Sequence, residues 1–505
     1  MWFLYDNIAV CAVALVTCAF AWLYGGIVAS ALVPVIPWLW LLLVEVMIAF
    51  PQRHHGETTY HARSRVWKHM KEDPITWVAL AFMLILQIPF VNTALCPNCD
   101  YPQITMGARQ AAPVPFLPYC VNRYHHLNVV LWFIPTLTCA IAVKHCLLKR
   151  GKRMLLEMIV WNGFLLAILG FVQQVLEAPA PLWGNFGDAN AYFFSTFGYP
   201  NAGGDYFTTL FALSFGLWRW RFEDCVKRRN AHGGSNSAKQ SGPGAFWAMH
   251  FYLIPTVVFF FAALTTLSRA AIILVTLLAI AFFVHTFVSL FKNMRKAKRV
   301  KACGICFLSL IIISLFAVIA MPKDLQNEIG TLDSQSVLER VTGKGQYHAR
   351  VATELWKENL LFGCGGWGYK HLCTQLMTDK ELAQIQKVGG VNVHNDYLQF
   401  LAEHGLVGFL CLASIIVMLV WPLGKIWRAL VDSVRFIPPK EQPARPISVF
   451  VIPAPAFAIL AAALATLIHS FGDCAMRSPA VLSLLFIELA AMDGFLPKLR
   501  EQKEE

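Results

Sequence analysis

The stretch "HNDYLQFLAEHGLVGFLCLASIIVMLVW", residues 394 to 421, begins with a histidine, an amide and a carboxylate and then runs apolar to its end. From Leu398 onward it has the length and composition of a bilayer-crossing helix, which needs about 20 mostly apolar residues because the hydrocarbon core is about 30 Å thick. A membrane interior offers no water to unpaired backbone groups, so such a segment must be helical. The stretch decides the fold class: an all-α integral membrane protein, with a titratable ring at the start of a spanning helix.

Composition agrees with that reading. The 505 residues are 57% hydrophobic and 14% charged, a balance that a water-soluble domain could not hide in its core. Segments of similar length recur near 8–25, 31–50, 75–92, 126–147, 153–175, 203–220, 246–266, 268–291, 302–321, 398–421, 448–469 and 478–495, so about twelve transmembrane helices are expected. The first has neither a basic leader nor a small-residue cleavage site and reads as a retained span.

Orientation follows from lysine and arginine, which accumulate on the cytoplasmic side of short loops. With both termini inside, 30 of the 42 basic residues fall on the inner side. Most of the outer ones lie in the long segment 322–396, where the rule loses force. Inner clusters such as "KNMRKAKRVK" (292–301) account for much of the net charge of +12 and suit anionic membrane lipids, which excludes nucleic acid as the partner.

Three regions result. Residues 1–321 hold nine spans with short outer loops, 322–396 form an outer insertion, and 397–505 hold three spans and a short cytoplasmic tail. Within the insertion, "YHARVATELWKENLLFG" (347–363) has helical apolar spacing, and "TDKE" (378–381) is a capping box that opens a second helix. Between them "GCGGWG" (363–368) satisfies G-x-G-x-x-G, but no strand precedes it, so it reads as a tight glycine turn rather than a dinucleotide site. Outer cysteines Cys96, Cys99, Cys120, Cys364, Cys373 and Cys474 suit one or two disulfides better than a metal.

Polar chemistry gathers at the outer ends of the spans. His394 sits beside Asn395 and Asp396 at a helix start, where the helix dipole disfavours imidazolium and leaves a neutral ring suited to accept a proton. Arg269, in "LTTLSRAAIILV", lies at the outer end of a span with no acid near it in sequence, a costly place for a guanidinium unless it faces a cavity or an anion. Arg350, in "YHARVATELW", has Glu354 one turn on and could be a surface pair or a phosphate clamp. Asn201, Tyr347, His348, Trp356, Tyr397 and Arg123 are further candidates for lining a cavity, and the isolated acids on the outer face offer no cluster for a metal, so neither metal nor cofactor is expected.

"SRAA", "FGYPNAGGDYF" (197–207), "RVATELWKENLLFGCGGWGY" (350–369) and "HNDYLQFLAEHGLVG" (394–408) resemble, in order and topology, the O-antigen ligase and polymerase superfamily of Gram-negative inner membranes. The resemblance implies a GT-C-like glycosyltransferase with a periplasmic active site that takes glycan from an undecaprenyl-diphosphate-linked O-antigen donor. It further implies that Arg269 and Arg350 hold the donor diphosphate, that His394 is the catalytic base, and that transfer is inverting and needs no metal. The long insertion and the span number look closest to the ligase, whose acceptor is lipid A-core. Two departures leave the subfamily open: Tyr199 stands before Pro200 and Asn201 where an asparagine is common, and Ala270 follows Arg269 where glycine is frequent. The rivals are an O-antigen polymerase, a protein O-oligosaccharyltransferase and, in another class, a secondary transporter, which would require two repeated halves that the sequence lacks.

Overall fold

A computed structural model of the chain describes residues 7–94, 112–114, 116–184, 193–231, 250–293, 345–388, 392–435 and 453–496. Every regular element among the described residues is a helix. Five helices are long and apolar enough to cross a membrane: Arg123–Cys146, Lys149–Val175, Arg269–Phe287, Asp396–Gly424 and Ala454–Gly472. A bent pair, Thr59–Glu72 with Pro74–Phe90, makes a sixth if it is one span. The expected spans at 8–25, 31–50 and 246–266 fall on shorter apolar helices, and the one at 302–321 lies outside the described residues.

The 76° bend has a local cause. Pro74 cannot donate a backbone hydrogen bond and disfavours helical geometry at the residue before it, so Asp73 is extended at φ −94°, ψ 117°. Its carboxylate then accepts from the Ile75 N–H at 3.1 Å and caps the apolar helix that follows.

The chain divides into two compact units. The first comprises Met1–Asn162, Val337–Ile437 and Thr466–Glu505. In it α1 (Ile8–Trp22), α2 (Ile36–Ala49), α3 (Thr59–Glu72), α4 (Pro74–Ile85) and α5 (Arg123–Ile141) are followed by α6 (Lys149–Val175), of which only the first half belongs here. α15 (Pro479–Ala491) is buried at every residue and packs on α5 and α1, which explains why its sequence is apolar on all sides.

The second unit comprises Gly163–Ser336 and Pro438–Ala465, with α7 (Pro200–Ala231), α8 (Leu253–Thr265) and α9 (Arg269–Asn293) packed on one another. Close approach of α7 to the start of α9 is set by Gly204, where a Cβ would press on Ala271 and Ser268. Farther along, Phe215 and Phe282 stack with centroids 4.3 Å apart. The "NAGGD" part of the resembling motif therefore shapes the packing beside Arg269.

The described part of the insertion, from residue 345 onward, lies within the first unit as α10 (Gly345–Glu358), α11 (Gly368–Leu372) and α12 (Asp379–Val388). Val351, Leu355, Tyr369 and Leu372 bury themselves against Tyr119, Val121 and Ala402 of other segments of the unit, so the expected apolar spacing is used at Val351 and Leu355, whereas Leu360 lies past the helix end and is 53% exposed. The capping box is present too: Glu381 accepts from the Thr378 N–H at 2.7 Å. One expectation is corrected. Cys120, Cys373 and Cys474 are free thiols, buried rather than bridged, and desolvation pushes the Cys120 thiol up to about 11 and that of Cys373 to about 12. Cys96 and Cys99 lie outside the described residues.

Candidate functional site

The site is built around α13 (Asp396–Arg435), which is interrupted at Gly405 (φ 63°, ψ −170°). An interruption inside a spanning helix frees backbone groups that must find partners. Here the glycine turn of the insertion supplies them. Cys364 and Gly365 donate to the carbonyls of Ala402 and Glu403 at 2.9 and 2.8 Å, and the Leu406 and Val407 N–H groups donate to Leu360 and Leu361 at 2.8 and 3.0 Å. Gly363 and Gly405 face one another's strands of chain so closely that a Cβ on either would overlap the opposing backbone. "GCGGWG" is thus a clasp on the membrane helix.

At the start of α13, Asn395 Oδ1 accepts from the Leu398 N–H at 3.0 Å, an ordinary helix cap. Immediately before it His394 occupies the left-handed region at φ 53°, a conformation that costs a non-glycine residue about 1–2 kcal/mol. The turn 473–478 between α14 (Ala454–Gly472) and α15 is stitched onto this corner. Asp396 accepts from the Met476 N–H at 2.8 Å, while Asp473 Oδ1 accepts from the Cys474 N–H at 2.7 Å and lies 3.2 Å from His394 Nδ1. The His394 side chain is 52% exposed and that of Asp473 only 11%, so a buried carboxylate backs a ring that faces outward.

Two residues of the insertion stand over this corner. The His348 ring lies 6.5 Å from that of His394, edge to face, and its Nδ1 is 2.7 Å from the Tyr369 hydroxyl. Burial, with His394 adding repulsion, pushes His348 down to about 4. A histidine held below its unfolded value of about 6.5 makes the folded state lose stability as pH falls from 6.5 towards 4, because only the unfolded chain takes up the proton. The melting temperature of the purified protein is expected to drop over that window, and to drop less in His348→Gln. An equal drop in both would show that the ring is not what titrates.

Arg350 is placed differently from an open clamp. Its guanidinium holds Glu354 at 3.0 Å and Glu381 at 2.9 Å, and these two acids raise it above its usual range. The Tyr347 ring lies 4.2 Å from that of His348, tilted by 37°, and Tyr397 donates to the Leu467 carbonyl at 2.6 Å beside the site. Trp356 donates to Leu360 at the far end of α10, about 12 Å along the helix from His348. Arg123 is exposed and donates to Thr93 at 2.8 Å. Arg269 and Asn201 lie in the second unit. Arg269 begins α9 just after Ser268, whose hydroxyl caps Ala271, and Asn201 donates to the Tyr199 hydroxyl at 3.2 Å.

Behind the corner a cavity of about 100 Å³ opens between Phe133, Phe400, Phe409 and Leu412, with Glu403 and Arg477 at its polar end. These two charges pair at 3.1 Å, both largely buried, and Arg477 also covers the Trp367 ring at 4.2 Å. Removing one member of a buried pair leaves the other charge uncompensated. Glu403→Gln is expected to cost about 3–5 kcal/mol of stability, and Glu403→Gln with Arg477→Met less than the single change, by denaturation in detergent. A double variant no more stable than the single would count against that ion pair as the cause.

Among the described residues, a ring nitrogen of His394, an Asp473 oxygen and Cys474 Sγ lie within 4.8 Å of one another, a set of metal-ligand types. The thiol is a poor ligand here, because burial and the nearby carboxylates of Asp396 and Asp473 push it well above its usual range and thiolate is the form that binds. The Asp473 oxygen is engaged by the Cys474 N–H and His394 instead. Asp473 was invisible as a partner: it stands 79 positions from His394 and belongs to no motif.

The chain is a multi-pass helical membrane protein that presents a carboxylate-backed histidine at the start of a spanning helix. Residues 254–413, under half of the chain, match the model of the O-antigen ligase family. The match takes in Arg269, Arg350 and His394 but ends before Asp473 and Arg477. No curated protein matches the chain.

Proposed function

We propose that the protein transfers O-antigen polysaccharide from undecaprenyl diphosphate to lipid A-core oligosaccharide on the periplasmic face of a Gram-negative inner membrane. The observation that carries this reading is the His394 ring, outward-facing and backed by Asp473, at the start of α13 within the family-matched stretch. In this reading the chain is a GT-C-like enzyme of about twelve spans with a periplasmic insertion, 322–396.

The reaction is an inverting displacement. An acceptor hydroxyl oxygen forms a bond to the anomeric carbon, the bond from that carbon to the diphosphate oxygen breaks, and undecaprenyl diphosphate leaves with the electron pair. His394 takes the hydroxyl proton on Nε2, the nitrogen not engaged by Asp473. Arg269 and Arg350 are assigned to the diphosphate, and Arg350 would exchange a carboxylate partner for phosphate oxygens, which it can grip through two parallel hydrogen bonds. No step draws on a metal.

Arg269→Ala is expected to lower transfer by a factor of about 10²–10³, the usual effect of losing one donor to developing negative charge. The assay is transfer of lipid-linked O-antigen to lipid A-core by the purified protein in nanodiscs. Full activity in the variant would remove Arg269 from the mechanism, and elongation of the lipid-linked glycan without transfer to lipid A-core would identify a polymerase.

A further inference from the structure

The geometry points to Asp473 as the positioning residue of the reaction: its carboxylate holds the His394 ring by Nδ1, fixes the Nδ1–H tautomer and so presents Nε2 to the acceptor hydroxyl. The inference rests on the glycosyl-transfer reading of His394 and extends it to a residue that the family match does not reach. Three observations support it. Asp473 Oδ1 is 3.2 Å from Nδ1, and the carboxylate is buried while the ring it holds is half exposed. The same oxygen is fixed by the Cys474 N–H at 2.7 Å, so the acceptor is held in place before the ring arrives. Asp396, the other acid of the corner, is committed elsewhere, accepting from the Met476 N–H and fixing the turn that carries Asp473.

A carboxylate in this position does two things in the displacement. Before it, the negative oxygen selects the tautomer with the proton on Nδ1, because the other tautomer would set a lone pair against the carboxylate. During it, the imidazolium that forms when Nε2 takes the acceptor proton gains a charge-assisted hydrogen bond. The proton leaves Nε2 to solvent after the diphosphate has departed, and the dyad is restored. No oxidant, reductant or further reactant enters.

The test is Asp473→Asn, which keeps the shape and removes the charge. Transfer by the purified protein is expected to fall about 10²–10⁴-fold in kcat, with KM for the lipid-linked donor unchanged, because an amide can present its NH₂ to Nδ1 and enforce the wrong tautomer. A second readout is independent of activity: in ¹⁵N-histidine spectra, the ring signals lost in His394→Gln should report Nδ1–H in the wild type and Nε2–H in Asp473→Asn. If wild type transfers glycan and Asp473→Asn keeps kcat within about threefold, the positioning role is wrong while the base remains. If wild type transfers nothing, the glycosyl-transfer reading fails, and an unchanged tautomer signal would separately overturn the Asp473 assignment. Asp473→Glu, which restores the charge, should retain the wild-type tautomer and recover part of kcat even if the asparagine variant folds poorly; loss of the tautomer there would also contradict the assignment.

Discussion

Purified protein carrying His394→Gln is expected to transfer glycan about 10²–10⁴ times more slowly than wild type, with its melting temperature unchanged. The magnitude follows from the role. A hydroxyl is a weak nucleophile until its proton has somewhere to go, and the His394 ring is both half exposed and backed by a carboxylate. His348, 6.5 Å away, cannot substitute, because it is buried and its Nδ1 is committed to Tyr369. Stability should change little, since the ring is half exposed and Asp473 keeps the Cys474 N–H as a partner. A His394→Gln variant that transfers at the wild-type rate would remove the base from the mechanism.

Gly405→Ala should have the largest effect on folding. The residue lies at φ 63°, ψ −170°, a region that essentially only glycine occupies and that costs other residues about 1–3 kcal/mol. The added Cβ would also overlap the Leu361 carbonyl and the Phe362 N–H, which are backbone atoms and cannot swing away. Together these place the loss on the order of 3–5 kcal/mol, at the upper end of single substitutions. The damage should propagate to the site, because the same clasp carries Cys364 and Gly365 onto Ala402 and Glu403. Gly424, on the same helix with open space around it, is the control: Gly424→Ala should leave stability within about 0.5 kcal/mol in the same denaturation series. Equal stabilities for the two variants would show that the clasp is not what holds α13 at its break.

These two residues also mark what could be read in the sequence. His394 stood out because a titratable ring next to a capping asparagine at the head of an apolar run is a local pattern. So is "TDKE", whose capping bond spans three residues. Arg350 was half legible: Glu354 is one turn away on the same helix, whereas Glu381, 31 positions on, meets it only in the fold. Asp473 was illegible for the same reason. Gly405 was hidden by its surroundings, since "EHGLVGF" reads as an uninterrupted helix and glycine is common in spanning helices. Five of the expected spans, and a sixth if the bent pair is one, were legible because hydropathy depends on composition, whereas α1, α2 and α8 are shorter than the apolar runs that announced them. The disulfide expectation failed at Cys120, Cys373 and Cys474, since side of the membrane predicts oxidation but only packing decides whether two sulfurs can meet.

The most direct test is reconstitution. Wild-type protein in nanodiscs, given undecaprenyl-diphosphate O-antigen, lipid A-core and a chelator, should produce O-antigen-capped lipid A-core and release undecaprenyl diphosphate, at a rate the chelator does not change. A product that appears only on the donor lipid, or none at all with both substrates bound, would contradict the assignment of this chain as the ligase.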